Sequence, residues 1–304
     1  MKCEVSVIIA TFNRREMVTE AIRSVLAQRE ARFELIVVDD GSTDDTAEAI
    51  ELAVEESTVP VRVIQTENRG AAASRNLGVE AAQAPLIAFL DSDDLWAPGK
   101  LARQLDYMQA HPDCEISQCD EFWIRNGRRV NPGFRHLKRA GDIFIESLRT
   151  CLISPSATIM RTKFFRDAGG FDETMLAAED YDLWLRILLD HEAGLLDEKL
   201  VTRRAGHAGQ LSASVPAIDR YRVLALAKLL MNSGLTGTRR NAVAEILAEK
   251  CRILGKGSQR RQNDSAFLNE VADRATTRWA QAPDDSLTRA VDEIREMVKI
   301  PLPC

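Results

Sequence analysis

The chain has 304 residues, of which 45% are hydrophobic and 28% are charged, a composition typical of folded globular proteins rather than disordered ones. This length allows one large α/β domain with an appendage. The formal net charge of −6 argues against a general nucleic-acid binder, so no nucleic-acid partner is expected.

The first hundred residues alternate between predicted strands and predicted helices. Short apolar runs rich in β-branched residues predict strands at 5–10, 33–38, 61–65 and 86–90. Amphipathic or Ala-rich segments between them predict helices at 15–28, 43–55 and 70–82. This β-α-β-α-β-α-β order with short connections favours a Rossmann-like, mostly parallel sheet flanked by helices.

The pattern changes after residue 110. A strand-like stretch at 115–125 precedes Asn126-Gly127, which is typical of a hairpin turn. Residues 131–157 contain several Gly and Pro and are predicted to be irregular. Residues 158–204 are predicted to be mixed α/β. The stretch from 216 to about 300 is predicted helical, with breaks near Gly234, Gly255 and Pro283.

Polar residues follow three of the four predicted parallel strands. They are Ala10-Thr11-Phe12-Asn13, Asp39-Asp40 and Asp91-Ser92-Asp93-Asp94. Ligands of such sheets bind beyond the carboxyl ends of the strands. We therefore expect the three clusters to meet at one edge of the sheet and to form a binding site.

The cluster Asp91-Ser92-Asp93-Asp94 places three carboxylates within four residues. Carboxylates so close repel one another unless a cation neutralises them, and oxygen ligands suit Mg²⁺ or Mn²⁺. The alternative is a helix N-cap with additional acidic residues favoured by the helix dipole. The two other polar clusters at the same edge favour the metal site.

Asp40 and two arginines predict recognition of a nucleotide. A carboxylate can accept a hydrogen bond from a uracil imide or a ribose hydroxyl, which suits Asp40. Arg69 and Arg75 can bind diphosphate oxygens through their forked guanidinium groups. The competing interpretations are a turn with a helix cap for Asp40 and ordinary surface positions for the two arginines.

A second acidic set lies far along the chain, at Asp172, Glu179, Asp180 and Asp182. Glu179-Asp180 opens a predicted helix, where a carboxylate can serve as a general base or only as a partner of the helix dipole. His207 lies in a Gly-rich connection and is a candidate ligand of the metal or the diphosphate, against the alternative of a surface loop histidine.

These motifs together resemble those of the family 2 glycosyltransferases, which have the GT-A fold. The resemblance covers residues 3 to about 212 and is carried by VSVIIATFN (5–13), LIVVDDGSTDD (35–45), ENRGAAASRNLG (67–78), IAFLDSDDLWAP (87–98), GGFD (169–172) and EDYDLWL (179–185). Members of the family often have Pro where this chain has Ala10. The six motifs occur in the order and at the approximate spacing of the family.

The resemblance implies a role for each candidate residue. The donor nucleotide would be held by Ala10, Thr11, Phe12, Asn13, Asp40, Arg69, Arg75, Asp91, Ser92 and Asp93. The metal, Mn²⁺ or Mg²⁺, would be held by Asp93 and Asp94 with His207 as a further ligand. Asp180 would be the catalytic base of an inverting transfer, and Glu179 and Trp184 would shape the acceptor side.

The resemblance also implies a domain plan. A GT-A domain would cover 1–212, with a nucleotide-sugar-binding half at 1–110 and an acceptor-binding half at 111–212. The resemblance does not extend beyond that domain, and the sequence pattern itself predicts a helical region at 213–304. Residues 205–304 carry 15 Lys and Arg against 11 Asp and Glu, which fits either a solvated helical surface or a patch facing an anionic membrane.

The expected function is transfer of a sugar from a nucleoside diphosphate, UDP first and dTDP or GDP as alternatives, to a saccharide or lipid-linked acceptor. The process would be synthesis of cell-envelope polysaccharide, lipopolysaccharide or glycolipid. Six cysteines without a paired pattern and a start without a signal-like segment predict a cytoplasmic protein, with peripheral membrane contact and homodimer formation left open.

Other classes of protein fit less well. A nucleotidyltransferase or a Rossmann dehydrogenase needs a Gly-rich loop after the first strand, and this chain has ATFNRREM there. The chain also lacks the G-x-S-x-G motif that a serine hydrolase of that type needs. The remaining alternative is a non-catalytic module of the same fold that binds a nucleotide-sugar or a partner without turnover.

Overall fold

The computed structural model describes residues 3–207, 209–210, 215, 217–259 and 265–299. The chain forms two compact units, each assembled from separate stretches. The first unit contains 1–143, 152–176 and 191–210, and the second contains 144–151, 177–190 and 211–304. The predicted boundary between 212 and 213 lies outside the described residues, so that domain plan stays a prediction.

The first unit is built on one mixed sheet. Its strands are β1 (Val5–Thr11), β2 (Phe33–Asp39), β3 (Val61–Gln65), β4 (Leu86–Phe89), β5 (Leu95–Trp96), β6 (Ile116–Arg125), β7 (Arg128–Val130), β8 (Thr158–Arg161) and β9 (Gly194–Ala205). They lie in the order β3-β2-β1-β4-β8-β6-β9-β5, with β7 paired to β6. The first four strands are parallel, as predicted, whereas β8 runs antiparallel to both β4 and β6.

Helices flank this sheet and explain the apolar runs of its central strands. The helices of the unit are α1 (Arg15–Leu26), α2 (Thr46–Val54), α3 (Ala71–Ala81), α4 (Lys100–Ala110) and α6 (Thr162–Asp167). All seven residues of β2 are buried, which accounts for its apolar run from Leu35 to Val38. The α/β class and the helices predicted between the first strands are confirmed.

One glycine allows a close approach of helix and strand beneath the edge where ligands are expected. A Cβ atom at Gly78 of α3 would lie 2.5 Å from Cγ2 of Ile8 in β1. Only glycine fits at that distance without displacing the neighbour. The C-terminal half of α3 is thereby held directly against β1.

The second unit is helical. It contains α5 (Phe144–Ser147), α7 (Glu179–Leu188), α8 (Asp219–Leu230), α9 (Gly237–Gln259), α10 (Ser265–Arg274), a π-helical turn (Ala275–Trp279) and α11 (Asp285–Lys299). Trp184 and Trp279 are among its fully buried side chains. The breaks expected near Gly234 and Pro283 are confirmed, since both residues lie between helices.

The break expected near Gly255 is wrong, because α9 continues to Gln259. A glycine inside a helix costs only about 1 kcal/mol relative to alanine. Here α9 packs closely on α10: a Cβ at Gly255 would lie in ordinary van der Waals contact, 3.5 Å from Oδ1 of Asn269 and 3.7 Å from the carbonyl oxygen of Ser265. Packing against α10 therefore outweighs the local preference.

The described residues give two further facts about the chain. Among them, no helix combines the length and the apolar character needed to cross a membrane. None of their five cysteines forms a disulfide. Cys304 lies outside the described part of the chain.

A buried ion pair fixes the segment after β7 to the sheet. The Glu121 side chain of β6 is 1% exposed and lies 3.1 Å from Nζ of Lys138. It also accepts hydrogen bonds from the Ser154 hydroxyl and from Nε1 of Trp123. Burial alone would raise the pKa of Glu121, but Lys138, Arg203 and the two hydrogen bonds outweigh it and bring the pKa to about 2.

Replacing Glu121 by Gln is expected to destabilise the protein by about 3 kcal/mol at pH 7, because a pKa lowered from 4.5 to about 2 is worth that much at a buried site. A lowered pKa stabilises the folded state above the unfolded-state value of 4.5, and this stabilisation is lost as the pH falls toward 2. Urea unfolding at pH 7, 4.5 and 3 measures the effect. The difference between wild type and variant should shrink with falling pH, and a difference independent of pH contradicts the assignment.

Glu198→Gln is a matched control for that experiment. Glu198 pairs with Arg103 at the surface, where 38% and 55% of the two side chains are exposed. Exposed ion pairs contribute at most about 1 kcal/mol. The control should therefore change the urea midpoint little at any of the three pH values.

Candidate active site

The carboxyl ends of β1, β2 and β4 lie at one edge of the sheet, where the sequence predicts a site. β1 ends on Ala10 and Thr11 and runs parallel to both neighbours. The backbone N–H of Asp40 donates to the carbonyl of Thr11 at 2.9 Å. The Arg14 guanidinium, just beyond β1, lies 2.9 Å from Oδ2 of Asp93, just beyond β4. The structure thus brings the three predicted clusters together within the first unit.

The residues after β1 form one wall of this edge. The Asn13 N–H donates to Oγ of Ser42 at 2.9 Å, and Oδ1 of Asn13 accepts from the Thr43 N–H at 2.8 Å. The Thr11 hydroxyl is buried and has no hydrogen-bond partner within the described ranges. Phe12 is 42% exposed, so its ring presents a large apolar surface to solvent on this wall of the site.

The carboxylate of Asp40 organises the start of α3. It accepts hydrogen bonds from the backbone N–H groups of Arg69 and Gly70, both at 2.9 Å, and from the Ser74 hydroxyl at 2.8 Å. A negative charge at a helix N-terminus is favourable. A carboxylate has about four acceptor positions, so these three bonds leave room for a further donor. Direct contact between Asp40 and a nucleoside stays a prediction.

The two predicted arginines differ in how firmly they are held. Arg75 is mostly buried, lies 2.7 Å from Oδ1 of Asp91 and has its guanidinium 5.4 Å from the centre of the Phe171 ring. Arg69 is 56% exposed and pairs with Glu173 at 2.8 Å. Arg75 is therefore a fixed positive charge beside the acidic cluster, whereas Arg69 is a surface residue near the start of α3.

Asp91, Asp93 and Asp94 form a compact acidic cluster. Each offers a carboxylate oxygen, and the three oxygens lie within 4.8 Å of one another. Two negative charges at that distance repel by about 3 kcal/mol at an effective dielectric constant of about 20. Arg75 offsets part of this repulsion at Asp91, and Arg14 offsets part of it at Asp93.

Asp94 is the buried member of the cluster. It accepts hydrogen bonds from the Ser156 hydroxyl at 2.6 Å and from the Arg204 N–H at 2.9 Å. Burial, followed by the charges of Asp93 and Asp91, raises the pKa of Asp94 well above its usual value, although Arg203 and the Ser156 hydrogen bond oppose this. A cation among the three carboxylates would reverse that effect, because it favours their charged forms.

Asp93 is shared between a histidine and an arginine. Its Oδ2 lies 2.9 Å from Nε2 of His207 and 2.9 Å from Nη1 of Arg14. The predicted ligands Asp93, Asp94 and His207 therefore lie at one place. Carboxylate oxygens suit Mn²⁺ or Mg²⁺, so Asp93 and Asp94 fit such an ion, whereas the imidazole nitrogen of His207 is a softer ligand that Mg²⁺ does not favour.

Three further residues of this edge escape prediction from the sequence. Arg14 appears in the sequence only as part of a helix start, and whether Arg14 or Arg15 faces the cluster depends on the rotation of α1. Ser156 and Arg204 lie far along the chain from Asp94 and reach it only through the pairing of later strands with the sheet. No motif marks either of them.

The predicted base and acceptor residues belong to the second unit, whereas the predicted donor and metal residues belong to the first. Asp180 lies in the first turn of α7, where it accepts hydrogen bonds from the Tyr181 N–H at 2.7 Å and from Sγ of Cys151 at 3.6 Å. Glu179 is buried, and Trp184 is 1% exposed. Trp184 can therefore support an acceptor site from within the unit, and the roles of all three stay predictions.

Solved structures share this fold. A crystal structure of TarS 1–349 from S. aureus in complex with UDP-GlcNAc matches 97% of this chain and 90% of that chain, with a TM-score of 0.71 and 20% identity. The mannosyltransferase PcManGT from Pyrobaculum calidifontis, in complex with GDP-Man and Mn²⁺, matches 99% of this chain and 81% of that chain, with a TM-score of 0.60 and 17% identity. These likenesses establish a GT-A-like fold with additional C-terminal helices.

Comparison with related sequences identifies the family to which the chain belongs. The model of Glycosyl transferase family 2 matches residues 6–169. Succinoglycan biosynthesis protein ExoU of Rhizobium meliloti (strain 1021) is 30% identical over 255 residues, which are 80% of this chain and 72% of the relative. An uncharacterized glycosyltransferase of Rickettsia felis is 34% identical over 203 residues, 65% of this chain. The chain belongs to glycosyl transferase family 2, and it spans about a third of the length of the first curated relatives that it matches.

Proposed function

We propose that this chain transfers a sugar, with inversion, from a nucleoside diphosphate donor to a hydroxyl group of a saccharide or lipid-linked acceptor, and that it uses Mn²⁺ or Mg²⁺. The observation that carries the proposal is the meeting of the Asp40 hydrogen-bond cluster with the three carboxylates of Asp91, Asp93 and Asp94 at one sheet edge. UDP is the favoured nucleotide, since the TarS structure of the same fold contains UDP-GlcNAc.

The donor would lie along the edge formed by β1, β2 and β4. Phe12 offers an exposed ring on which a nucleobase can stack, and Asp40 has an acceptor position left for a base or ribose donor. Arg75 is fixed beside Asp91 and can stabilise the diphosphate by charge-assisted hydrogen bonds. Asn13 keeps the wall carrying Phe12 in place.

Asp93 and Asp94 would hold the divalent cation, with Asp91 beside them and His207 as the nitrogen ligand. When bound, such a cation neutralises the negative charge that develops on the departing diphosphate. Ser156 and the Arg204 N–H keep the Asp94 carboxylate oriented, since each donates to one of its oxygens.

Asp180 would act as the base. The acceptor oxygen bonds to the anomeric carbon while the bond from that carbon to the diphosphate oxygen breaks, and the nucleoside diphosphate leaves with the electron pair. The acceptor proton moves to Asp180. A single displacement of this kind inverts the anomeric centre. The Tyr181 N–H and the Cys151 thiol donate hydrogen bonds that keep the Asp180 carboxylate oriented before the proton transfer.

The biological process in this proposal is synthesis of a cell-envelope polysaccharide, lipopolysaccharide or glycolipid. The name of the relative ExoU, a succinoglycan biosynthesis protein, supports a polysaccharide product. The reaction is proposed to take place in the cytoplasm, where nucleotide-sugars are made, with the acceptor at the inner face of the membrane.

A thermal-shift panel tests the nucleotide and the metal together. The protein is melted with UDP, GDP, dTDP and their sugars, each in EDTA, Mg²⁺ or Mn²⁺. Because a ligand of the native state raises the melting temperature by mass action, a ligand at 100 times its Kd should stabilise by about 2.7 kcal/mol. We expect stabilisation by UDP compounds only with metal. A folded protein that no nucleotide stabilises would contradict the proposal and favour the non-catalytic module.

A further inference from the structure

The guanidinium group of Arg14 occupies the carboxylate oxygen that a divalent cation would need. Its Nη1 lies 2.9 Å from Oδ2 of Asp93 and 3.3 Å from Oγ of Ser92. Its Nη2 donates to the carbonyl oxygen of Gly209 at 2.8 Å. The same Asp93 oxygen also contacts Nε2 of His207. A side chain of the protein thus offsets the charge of Asp93 at the position where a metal ion would bind.

The backbone of Arg14 is held independently of its side chain. Arg14 is the N-cap residue of α1, and its N–H donates to Oγ1 of Thr46 at 2.9 Å. Its carbonyl oxygen accepts from the Val18 N–H at 2.9 Å. The guanidinium can therefore leave Asp93 while α1 and the end of β1 stay in place.

A divalent cation and the Arg14 guanidinium compete for Oδ2 of Asp93, an oxygen that Nε2 of His207 also contacts. Mn²⁺ and Mg²⁺ bind carboxylate oxygens directly and repel a neighbouring positive charge. Arg75 does not meet this conflict to the same degree, because its partner is Asp91 and not Asp93. We therefore expect a cation that binds Oδ2 of Asp93 to displace Arg14 rather than Arg75.

The displaced side chain has a second partner in the proposed reaction. Ions of this type are held by one or two carboxylates together with phosphates of the substrate, so the donor diphosphate must lie next to the cation. Arg14 remains anchored at that edge, and the forked guanidinium is suited to diphosphate oxygens.

We propose that Arg14 is an internal counterion that holds Asp93 in the cation-free protein, is displaced when a divalent cation binds, and then binds the diphosphate of the donor. Arg14 is in this sense a positioning residue that couples metal binding to donor binding. The competition with metal rests on the metal site of the proposed function, whereas the contact with diphosphate rests on its donor site.

The competition is tested with Mn²⁺ alone. Binding of Mn²⁺ to the nucleotide-free protein is followed by electron paramagnetic resonance in wild type, Arg14→Met and Arg15→Met. Arg14→Met should bind Mn²⁺ about fivefold more tightly, since an ion pair no longer has to be broken. Arg15→Met is the matched control and should behave as wild type, because Arg15 pairs with Asp45 at the surface, where 62% and 68% of the side chains are exposed.

The diphosphate contact is tested by calorimetry of UDP at saturating Mn²⁺. Arg14→Met should bind UDP about tenfold more weakly than wild type, the effect of losing a charge-assisted hydrogen bond. Tighter Mn²⁺ binding together with weaker UDP binding supports the proposal, because structural damage would weaken both. Equal or weaker Mn²⁺ binding in Arg14→Met, including no binding in either protein, overturns the competition.

Unchanged UDP affinity overturns the diphosphate contact. A wild-type protein that binds no UDP in Mn²⁺ overturns the proposed function and the diphosphate contact with it. The Mn²⁺ comparison still decides the competition in that case, so the two failures are distinguishable.

Discussion

Replacing Asp180 by Asn is expected to lower the rate of sugar transfer by about 1,000-fold, within the range that a positioned general base contributes. Asparagine keeps the shape of the side chain and can still accept the Tyr181 N–H hydrogen bond, but it cannot take a proton from the acceptor. The rate is measured as release of nucleoside diphosphate from the donor in the presence of acceptor. UDP binding should be unchanged, because the base acts on the acceptor.

Asp190→Asn is the matched control for that variant. Asp190 is exposed, follows α7 in the same unit and receives the same change of charge. It should retain the wild-type rate. An Asp180→Asn protein with a normal melting temperature and full activity would show that Asp180 is not the base.

Replacing Asp93 by Ala should weaken Mn²⁺ binding by at least about 100-fold, since even the hydrogen-bond partners of metal ligands are worth 10- to 100-fold. Calorimetry of UDP should then give the same affinity in EDTA and in Mn²⁺. The melting temperature in EDTA should not fall much, because the substitution also removes a negative charge from a repelling cluster. Lost Mn²⁺ binding with an unchanged melting temperature in EDTA would identify Asp93 as a metal ligand and not as a residue needed for folding.

Asp106→Ala serves as the control for Asp93→Ala. Asp106 is an exposed carboxylate on α4 of the same unit. It should leave the Mn²⁺ dependence of UDP binding intact. If Mn²⁺ still strengthens UDP binding to Asp93→Ala as it does to wild type, Asp93 is not part of the metal site.

The strands that position the site could be predicted because their sequences are dictated by burial. β1, β2 and β4 are apolar runs covered on both faces, and the polar clusters after them are placed by the parallel arrangement alone. The meeting of Asp40, Asp93 and the end of β1 follows from these facts. The predicted helical ranges are longer than the observed ones by two to four residues; α1, for example, ends at Leu26 and α2 begins at Thr46.

The contacts that join distant parts of the chain could not be predicted. Ser156 and Arg204 orient Asp94 only because β8 and β9 belong to the same sheet as β4, and no local pattern indicates this pairing. The same holds for α7, which lies between strands in the sequence but packs against α8 of the helical unit. The prediction of a helix break at Gly255 failed for the opposite reason. The local sequence favours a break there, but α9 continues through Gly255 and packs against α10.

The counterion role of Arg14 also depends on the fold. The sequence shows two adjacent arginines before α1, and both are equally plausible as surface residues. In the structure Arg15 pairs with Asp45 at the surface, whereas Arg14 reaches Asp93. The rotation of the first helical turn separates the two residues, and a sequence pattern does not fix that rotation.

Release of nucleoside diphosphate by the wild-type protein is the direct test of catalysis. The protein is incubated with a panel of UDP-, GDP- and dTDP-sugars and a mixture of saccharide and lipid-linked acceptors, in Mn²⁺ or in EDTA. We expect acceptor-stimulated release of UDP from at least one UDP-sugar in Mn²⁺ and loss of that release in EDTA. A protein that binds UDP with metal but releases no nucleoside diphosphate from any donor would contradict catalysis and identify a binding module.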